Sequence, residues 1–176
     1  TLPGTAIYYS DAVLLAQMAA LLGNSADVAT YNQLATNIRA GFNAKFFKPA
    51  PRVYDTSSQT ANAMPLALGL VDGTNIPSVR AAMIADVQSR GNTLTSGEIG
   101  FGFLLRSLTE AGRADVVYAM NNKTNTPGYG YQIARGATAL TERWDAANAA
   151  FSSQSHFMLG QIMEWFYRDL AGIQLD

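Results

Sequence analysis

The chain has 176 residues, of which 48% are hydrophobic and only 14% are charged; this allows one domain with a sizeable core and excludes an intrinsically disordered protein. The net charge is −1, so we expect no nucleic-acid partner, because that binding needs a surplus of cations. The sequence has no apolar run of membrane-spanning length, no cysteine and a single histidine, so we expect no membrane partner, no disulfide, no metal site and no cofactor.

Helical periodicity dominates the first part of the chain, and no strand alternation is convincing. A first helix is predicted from Ser10 or Asp11, with four large apolar residues on one face: Leu14, Met18, Leu21 and Leu22. Ser25 is a plausible cap for a second helix. Its apolar residues recur every three or four positions, as in an amphipathic helix: Val28, Tyr31, Ala35, Ile38 and Phe42. Residues 52–58 are predicted to form a polar loop.

Three further helices are predicted in the middle of the chain, over 59–70, over 77–90 and from about Ser96. The second of them aligns Val79, Met83 and Val87, and the third carries Leu104, Leu105 and Leu108. Gly97, Gly100 and Gly102 fall in the first turns of that third helix, where glycine is unfavourable. We therefore expect another backbone or a ligand to approach closely there.

The remaining helices are predicted over 114–121 and 154–170, with a loop over 122–137 between them. The last helix is apolar nearly all round, which predicts a buried position. The fold class is therefore predicted as all-α, built from consecutive antiparallel helical hairpins, with residues 1–176 as one unit without an internal boundary. Both ends are apolar and the charge content is low, so we expect a piece of a longer protein whose remainder covers part of this surface.

The most chemically suggestive segment runs from Arg135 to Asp145. Glu142 and Asp145 flank Arg143 and Trp144 in it, and a carboxylate can act as a general base on water. An adjacent arginine favours the ionised carboxylate, and an indole offers a flat face to a sugar ring. The alternative is that Glu142 and Arg143 are solvated loop residues and Trp144 anchors the core.

Three further residues could belong to a site or have a purely structural role. His156 is either a neutral core histidine within the last helix or a hydrogen-bonding residue at the floor of a site. Glu98 fits a capping box with Thr95, in which the carboxylate reaches back to the threonine amide. Tyr129 either lines a polar cleft or covers the end of a hairpin.

Four ordered motifs resemble one enzyme family. They are SSQTANAMPLALGLV (57–71), LTSGEIGFGFLLRSLTEAGRADVVYAM (94–120), PGYGYQIARGATALTERWD (127–145) and SHFMLGQIMEWFYRDLAGI (155–173). Together they are similar to the C-terminal half of the catalytic domain of bacterial and fungal α-L-rhamnosidases. That family consists of inverting glycoside hydrolases built on an (α/α)6 barrel, so the resemblance implies about half of such a barrel.

The resemblance implies roles for particular residues. Glu142 corresponds to the general base, His156 to a residue that hydrogen-bonds the rhamnose hydroxyls, and Trp144 to part of the aromatic wall. Arg143 and Asp145 would help to hold the base, and Tyr129 belongs to the same substrate-binding region. Thr141 stands where the family has a tryptophan, and Ser155 stands where it has an asparagine.

The resemblance also implies what else the protein needs. The general-acid motif of the family lies upstream and has no counterpart in residues 1–60, so we expect this chain alone to be inactive. Its partners would be rhamnose-containing glycosides and the missing N-terminal half of the barrel. The family and one sequon at Asn122 predict an extracellular location. The alternatives are a six-hairpin glycosidase for another sugar (a glucosidase, trehalase or unsaturated uronyl hydrolase) and a non-enzymatic helical-hairpin binding module.

Overall fold

The structure, a computed structural model, describes residues 1–145 and 151–173, and most of its regular structure is helical. The α-helices in chain order are α1 (Leu2–Leu21), α2 (Ser25–Phe46), α3 (Gln59–Ala67), α4 (Ile76–Ser89), α5 (Glu98–Glu110), α6 (Ala114–Asn121), α7 (Tyr129–Ala134) and α8 (Ile162–Glu164). The shorter elements are β1 (Phe47–Lys48), β2 (Val53–Tyr54), 3-10 helices at Gly73–Asn75 and Phe157–Gln161, and a π-helix at Trp165–Leu170. The predicted all-α class is confirmed.

Helices α1 and α2 form the first hairpin, and the predicted start of α1 is wrong. The helix begins at Leu2 rather than at Ser10, and it buries mainly alanines along α2. Leu21 and Leu22, predicted to share one face, are 89% and 85% exposed. Small side chains let two helix backbones approach closely, so the alanine face packs and the larger apolar face is left outside.

The predicted faces of α2 and α4 are confirmed. The predicted cap is wrong: Asn24, and not Ser25, caps α2 by accepting a hydrogen bond from the backbone N–H of Asp27. Phe42 is fully buried. In α4 three aligned residues are fully buried: Val79, Met83 and Val87. Between these helices lies the antiparallel β1–β2 pair, which the sequence did not indicate because each strand has only two residues.

Helices α3 and α5 pack closely, and Gly100 makes this approach possible. A Cβ at Gly100 would lie 2.0 Å from Thr60 Oγ1 and 2.4 Å from Ser96 Oγ. Those two hydroxyls are hydrogen-bonded to each other at 2.9 Å. A close approach is therefore found at Gly100, but it is made by side chains and not by the predicted backbone or ligand, and no heavy atom lies within 4 Å of a Cβ added at Gly97.

Gly100→Ala is expected to lower the free energy of unfolding by about 1–3 kcal/mol, as overpacking of a well-packed core does. Gly97→Ala is the matched control, because no heavy atom lies within 4 Å of its added Cβ. Urea unfolding of both variants measures the difference. Equal midpoints for the two variants would show that the α3–α5 contact tolerates a methyl group.

Helix α7 falls inside the segment predicted to be a loop over 122–137, so that prediction is wrong. A Cβ at Gly128 would lie 2.6 Å from the Met120 carbonyl oxygen, and one at Gly130 would lie 2.6 Å from that of Lys123. The two glycines thus let α7 pack directly on the backbone after α6. A short glycine-rich helix of this kind depends on tertiary contacts, which local propensity does not report.

The C-terminal segment also differs from its prediction. Regular structure begins at Phe157 rather than at Gln154, and it passes from a 3-10 helix through α8 to a π-helix. Leu159, Ile162 and Trp165 are buried, whereas several other large apolar residues are exposed. The exposed ones are Phe157, Met163, Phe166, Tyr167 and Leu170. The helix therefore packs on one side only.

Candidate active site

A cleft of about 440 Å³ opens at the N-terminal end of α5. Residues 94–98 form one wall and residues 142–145 form another, with Pro127 and Leu159 between them. The cleft thus lies where the segment singled out in the sequence meets the first turn of α5. It brings together backbone groups, carboxylates and one indole.

Backbone pairing places Glu142 beside His156. The N–H of His156 donates to the Leu140 carbonyl at 2.7 Å, and the N–H of Glu142 donates to the Ser153 carbonyl at 3.0 Å. The two segments therefore run side by side, although neither is a helix. His156 precedes the 3-10 helix with an extended backbone, so its predicted place one turn into a helix is wrong.

Hydrogen-bond donors surround the Glu142 carboxylate. Its Oε2 accepts from the Ser153 backbone N–H at 2.9 Å and from the Ser152 hydroxyl at 3.4 Å. The Ser153 N–H, together with nearby His156, the Ser152 hydroxyl and Arg143, lowers the pKa of Glu142 below its ordinary value, and desolvation opposes them. Donors and positive charge favour the ionised form, so Glu142 remains a carboxylate to a lower pH than an ordinary glutamate.

The lowered pKa of Glu142 has a testable origin. We expect its carboxyl group, followed by ¹³C NMR, to titrate at a pH below the ordinary glutamate value of about 4.3. Ser153→Pro removes the N–H and should move the midpoint upwards, because the ionised form loses its main donor. Ser153→Ala keeps that N–H and should leave the midpoint in place. A midpoint that moves equally in both variants would contradict this origin.

His156 and Glu98 form a pair that the sequence did not predict. His156 Nε2 lies 3.1 Å from Glu98 Oε2, and the two side chains are 30% and 35% exposed. The expected capping box is absent. Gly97 precedes α5 without a side-chain cap, and the Thr95 N–H donates to Gln59 Oε1 at 3.0 Å. With the threonine amide already bound, the carboxylate turns towards His156.

Trp144 is largely a buried residue of the site. The residue is 8% exposed, and its Nε1–H donates to the Ser96 carbonyl at 2.8 Å. The indole meets Phe101 and Tyr129 edge-on, with ring centroids 5.1 and 5.2 Å apart. These contacts favour the alternative in which Trp144 anchors the core, and only a small part of the ring lines the cleft.

Tyr129 lies behind Trp144 and away from the cleft. Its hydroxyl donates to the Leu159 carbonyl, and burial raises the pKa of the phenol well above its ordinary value. The same ring lines a separate apolar groove of about 520 Å³ with Ile133 and Phe166. The structure therefore does not bring Tyr129 together with Glu142 in one cavity.

Arg143 and Asp145 stand at the solvent side of the cleft. They form an ion pair at 3.1 Å, and both side chains are at least half exposed. Exposed pairs of this kind contribute little to stability. Thr141, the residue before Glu142, is buried and accepts from Gln132 Nε2 at 2.7 Å, so it fixes the backbone next to the base.

Sequence reasoning missed two parts of this arrangement, the carboxylate of Glu98 and the donors from Ser152 and Ser153. The SSQSH string at 152–156 offered a signal, since serine-rich turns supply local donors. Within residues 1–145 and 151–173, no group of three or more potential metal ligands occurs. Nor does any helix in those ranges have the length and apolar content to cross a membrane.

Comparison with known proteins identifies the family. The model of the bacterial α-L-rhamnosidase six-hairpin glycosidase domain matches residues 2–170. An α-L-rhamnosidase of Formosa agariphila is 30% identical over 180 residues, covering 98% of this chain and 19% of the relative.

Solved structures agree with that match. The structure of the α-L-rhamnosidase from Dictyoglumus thermophilum is 35% identical, covers 93% of this chain and 19% of its own, and has a TM-score of 0.86. The Streptomyces avermitilis α-L-rhamnosidase complexed with L-rhamnose is 30% identical, covers 96% of this chain and 17% of its own, and has a TM-score of 0.87. The chain spans about a fifth of the length of these relatives. It therefore belongs to the family of bacterial α-L-rhamnosidase six-hairpin glycosidase domains.

Proposed function

We propose that this chain supplies the general-base side of the active site of an α-L-rhamnosidase that hydrolyses terminal α-L-rhamnosyl residues with inversion. The observation that carries the proposal is the Glu142 carboxylate, which accepts a hydrogen bond from the Ser153 N–H and lies at the cleft beside His156. The relatives are named α-L-rhamnosidases, and one of them was solved with L-rhamnose.

In this mechanism Glu142 takes one proton from water. The water oxygen forms a bond to the anomeric carbon, while the bond from that carbon to the leaving oxygen breaks and its electron pair goes to that oxygen. A second carboxyl group protonates the leaving oxygen, and inverting enzymes hold the two groups roughly 6.5–9.5 Å apart. His156 and Trp144 position the sugar, and Arg143 with Asp145 supports the base.

The second carboxyl group is proposed to come from outside this chain. Two other acidic residues line the cleft. Glu98 is engaged with His156 and Asp145 with Arg143, so neither is a free carboxylic acid ready to protonate a leaving group. The relatives are about five times as long as the chain, and an upstream segment of a longer protein could supply the acid.

The exposed apolar face of α1 is where we place the missing half of the barrel. Its members repeat at seven-residue intervals: Ile7, Leu14 and Leu21, and Tyr8, Leu15 and Leu22, with Met18 between them. An exposed apolar surface of this extent marks an interaction site. Covering this face would account for the low charge content of the chain, from which we predicted that part of its surface is hidden.

The test compares release of p-nitrophenol from the α-L-rhamnoside and the α-D-glucoside. The purified 176-residue chain should hydrolyse neither, whereas a polypeptide that adds the upstream half should hydrolyse the rhamnoside only. Hydrolysis by the chain alone would contradict an acid from outside. Preference of the longer polypeptide for the glucoside would favour another six-hairpin glycosidase, and activity towards neither would favour a binding module.

A further inference from the structure

The contact between Glu98 and His156 restricts which nitrogen of the imidazole carries the hydrogen. Glu98 is the first residue of α5, and its Oε2 lies 3.1 Å from His156 Nε2. That oxygen is buried, and no hydrogen bond of good alignment reaches it in the described residues. The carboxylate oxygen and the ring nitrogen are therefore close, but the line between them deviates from the direction of an ideal N–H bond.

The short distance between Nε2 and Oε2 restricts which of the two groups carries a hydrogen. An unprotonated Nε2 would hold its lone pair 3.1 Å from a negatively charged carboxylate oxygen, and the two repel, so either Nε2 or the carboxyl group carries a hydrogen. The first turn of a helix favours a negative charge, which places the hydrogen on Nε2. In the neutral ring Nδ1 is then the remaining acceptor.

We propose that Glu98 is a positioning residue of the sugar site: its carboxylate holds the proton of His156 on Nε2 and leaves Nδ1 to accept a hydrogen bond from a hydroxyl of the bound sugar. The part that concerns the sugar rests on the proposed function. The part that concerns the proton rests on the contact alone.

Among residues 1–145 and 151–173, no contact gives this side chain a competing structural role. The capping box is not formed, since Thr95 donates its N–H to Gln59. Gln161 Nε2 binds the backbone carbonyl of Glu98 at 3.0 Å and leaves the carboxylate free. The other carboxylate near the ring is Glu142, from the opposite wall. It already accepts hydrogen bonds from Ser153 and Ser152.

The tautomer can be read directly, because His156 is the single histidine of the chain. Long-range ¹H–¹⁵N NMR at a pH where the ring is neutral should show hydrogen on Nε2. Glu98→Leu should give a mixture of tautomers, and Glu98→Gln should restore Nε2–H through its amide oxygen. Glu110→Leu, at the other end of α5, is the matched control and should not change the spectrum.

A wild-type ring with hydrogen on Nδ1 would overturn the inference, since Glu98 would then be the proton donor. This result needs no variant and so does not depend on whether Glu98→Leu folds. An unchanged tautomer in a folded Glu98→Leu variant would also overturn it, because another group would then hold the proton.

Kinetics of the longer polypeptide on p-nitrophenyl α-L-rhamnoside test the sugar contact. Loss of one hydrogen bond should raise KM about 10-fold in Glu98→Leu, with little change in kcat, and Glu98→Gln should recover the wild-type KM. An unchanged KM in an active Glu98→Leu enzyme would overturn the positioning role. A wild-type polypeptide without rhamnosidase activity would instead overturn the proposed function, and the sugar contact with it.

Discussion

Glu142→Ala and Glu142→Gln are each expected to lower kcat for rhamnoside hydrolysis by about 10²- to 10⁴-fold, the usual contribution of a general base. Water is a poor nucleophile unless a base takes its proton, and neither alanine nor glutamine can do so. The measurement is steady-state hydrolysis of p-nitrophenyl α-L-rhamnoside by the polypeptide that combines this chain with the upstream half.

The matched control for the Glu142 variants is Glu164→Gln. Glu164 is an exposed carboxylate that pairs with Arg168 at 3.1 Å and lies in α8, outside the cleft. Its loss should leave kcat within a factor of about two, since surface ion pairs contribute little. Retention of wild-type kcat in both Glu142 variants would exclude Glu142 as the base.

Trp144→Ala should lower the free energy of unfolding by about 3–5 kcal/mol, as large-to-small changes at buried aromatics do. The indole fills the space between Phe101 and Tyr129 and donates to the Ser96 carbonyl. Removing it creates a cavity and leaves a buried acceptor unpaired. Urea unfolding of the chain, monitored by circular dichroism, measures the loss.

Trp144→Phe separates the two contributions of the indole. Phenylalanine keeps a six-membered ring but loses the five-membered ring of the indole with its Nε1–H, so we expect a smaller loss of about 1–3 kcal/mol, mainly for the unpaired Ser96 carbonyl. If both variants unfolded at the wild-type urea concentration, Trp144 would not be a core residue. Its main role would then be the sugar contact that the family resemblance implies.

The sequence predicted the helices whose apolar residues follow one stripe. Helix α6 has the predicted bounds, and Val79, Met83 and Val87 of α4 are all fully buried. The pattern did not identify the packed face of α1, where Leu14 and Leu21 are exposed and alanines pack instead. A periodic pattern identifies apolar faces, but it does not identify which face meets a neighbour within the same chain.

The sequence predicted only part of the site, because periodicity also does not show which distant segments come into contact. Glu142 and His156 lie 14 positions apart in the sequence, and family motifs alone suggested their proximity. Their meeting depends on backbone pairing of 140–142 with 153–156, which no periodicity indicates. The Glu98–His156 contact joins residues far apart in sequence, so the local capping pattern at Thr95 pointed to a different partner.

The most direct test of the account is chemical rescue of the Glu142 variants by azide. Azide needs no base, and the space left in Glu142→Ala admits it on the face of the sugar that water would attack. We predict that azide restores activity to Glu142→Ala but not to Glu142→Gln, and that the product is the β-rhamnosyl azide, inverted from the α-linked substrate. No rescue, or an azide product that keeps the α configuration, would contradict the assignment of Glu142 as the base of an inverting rhamnosidase.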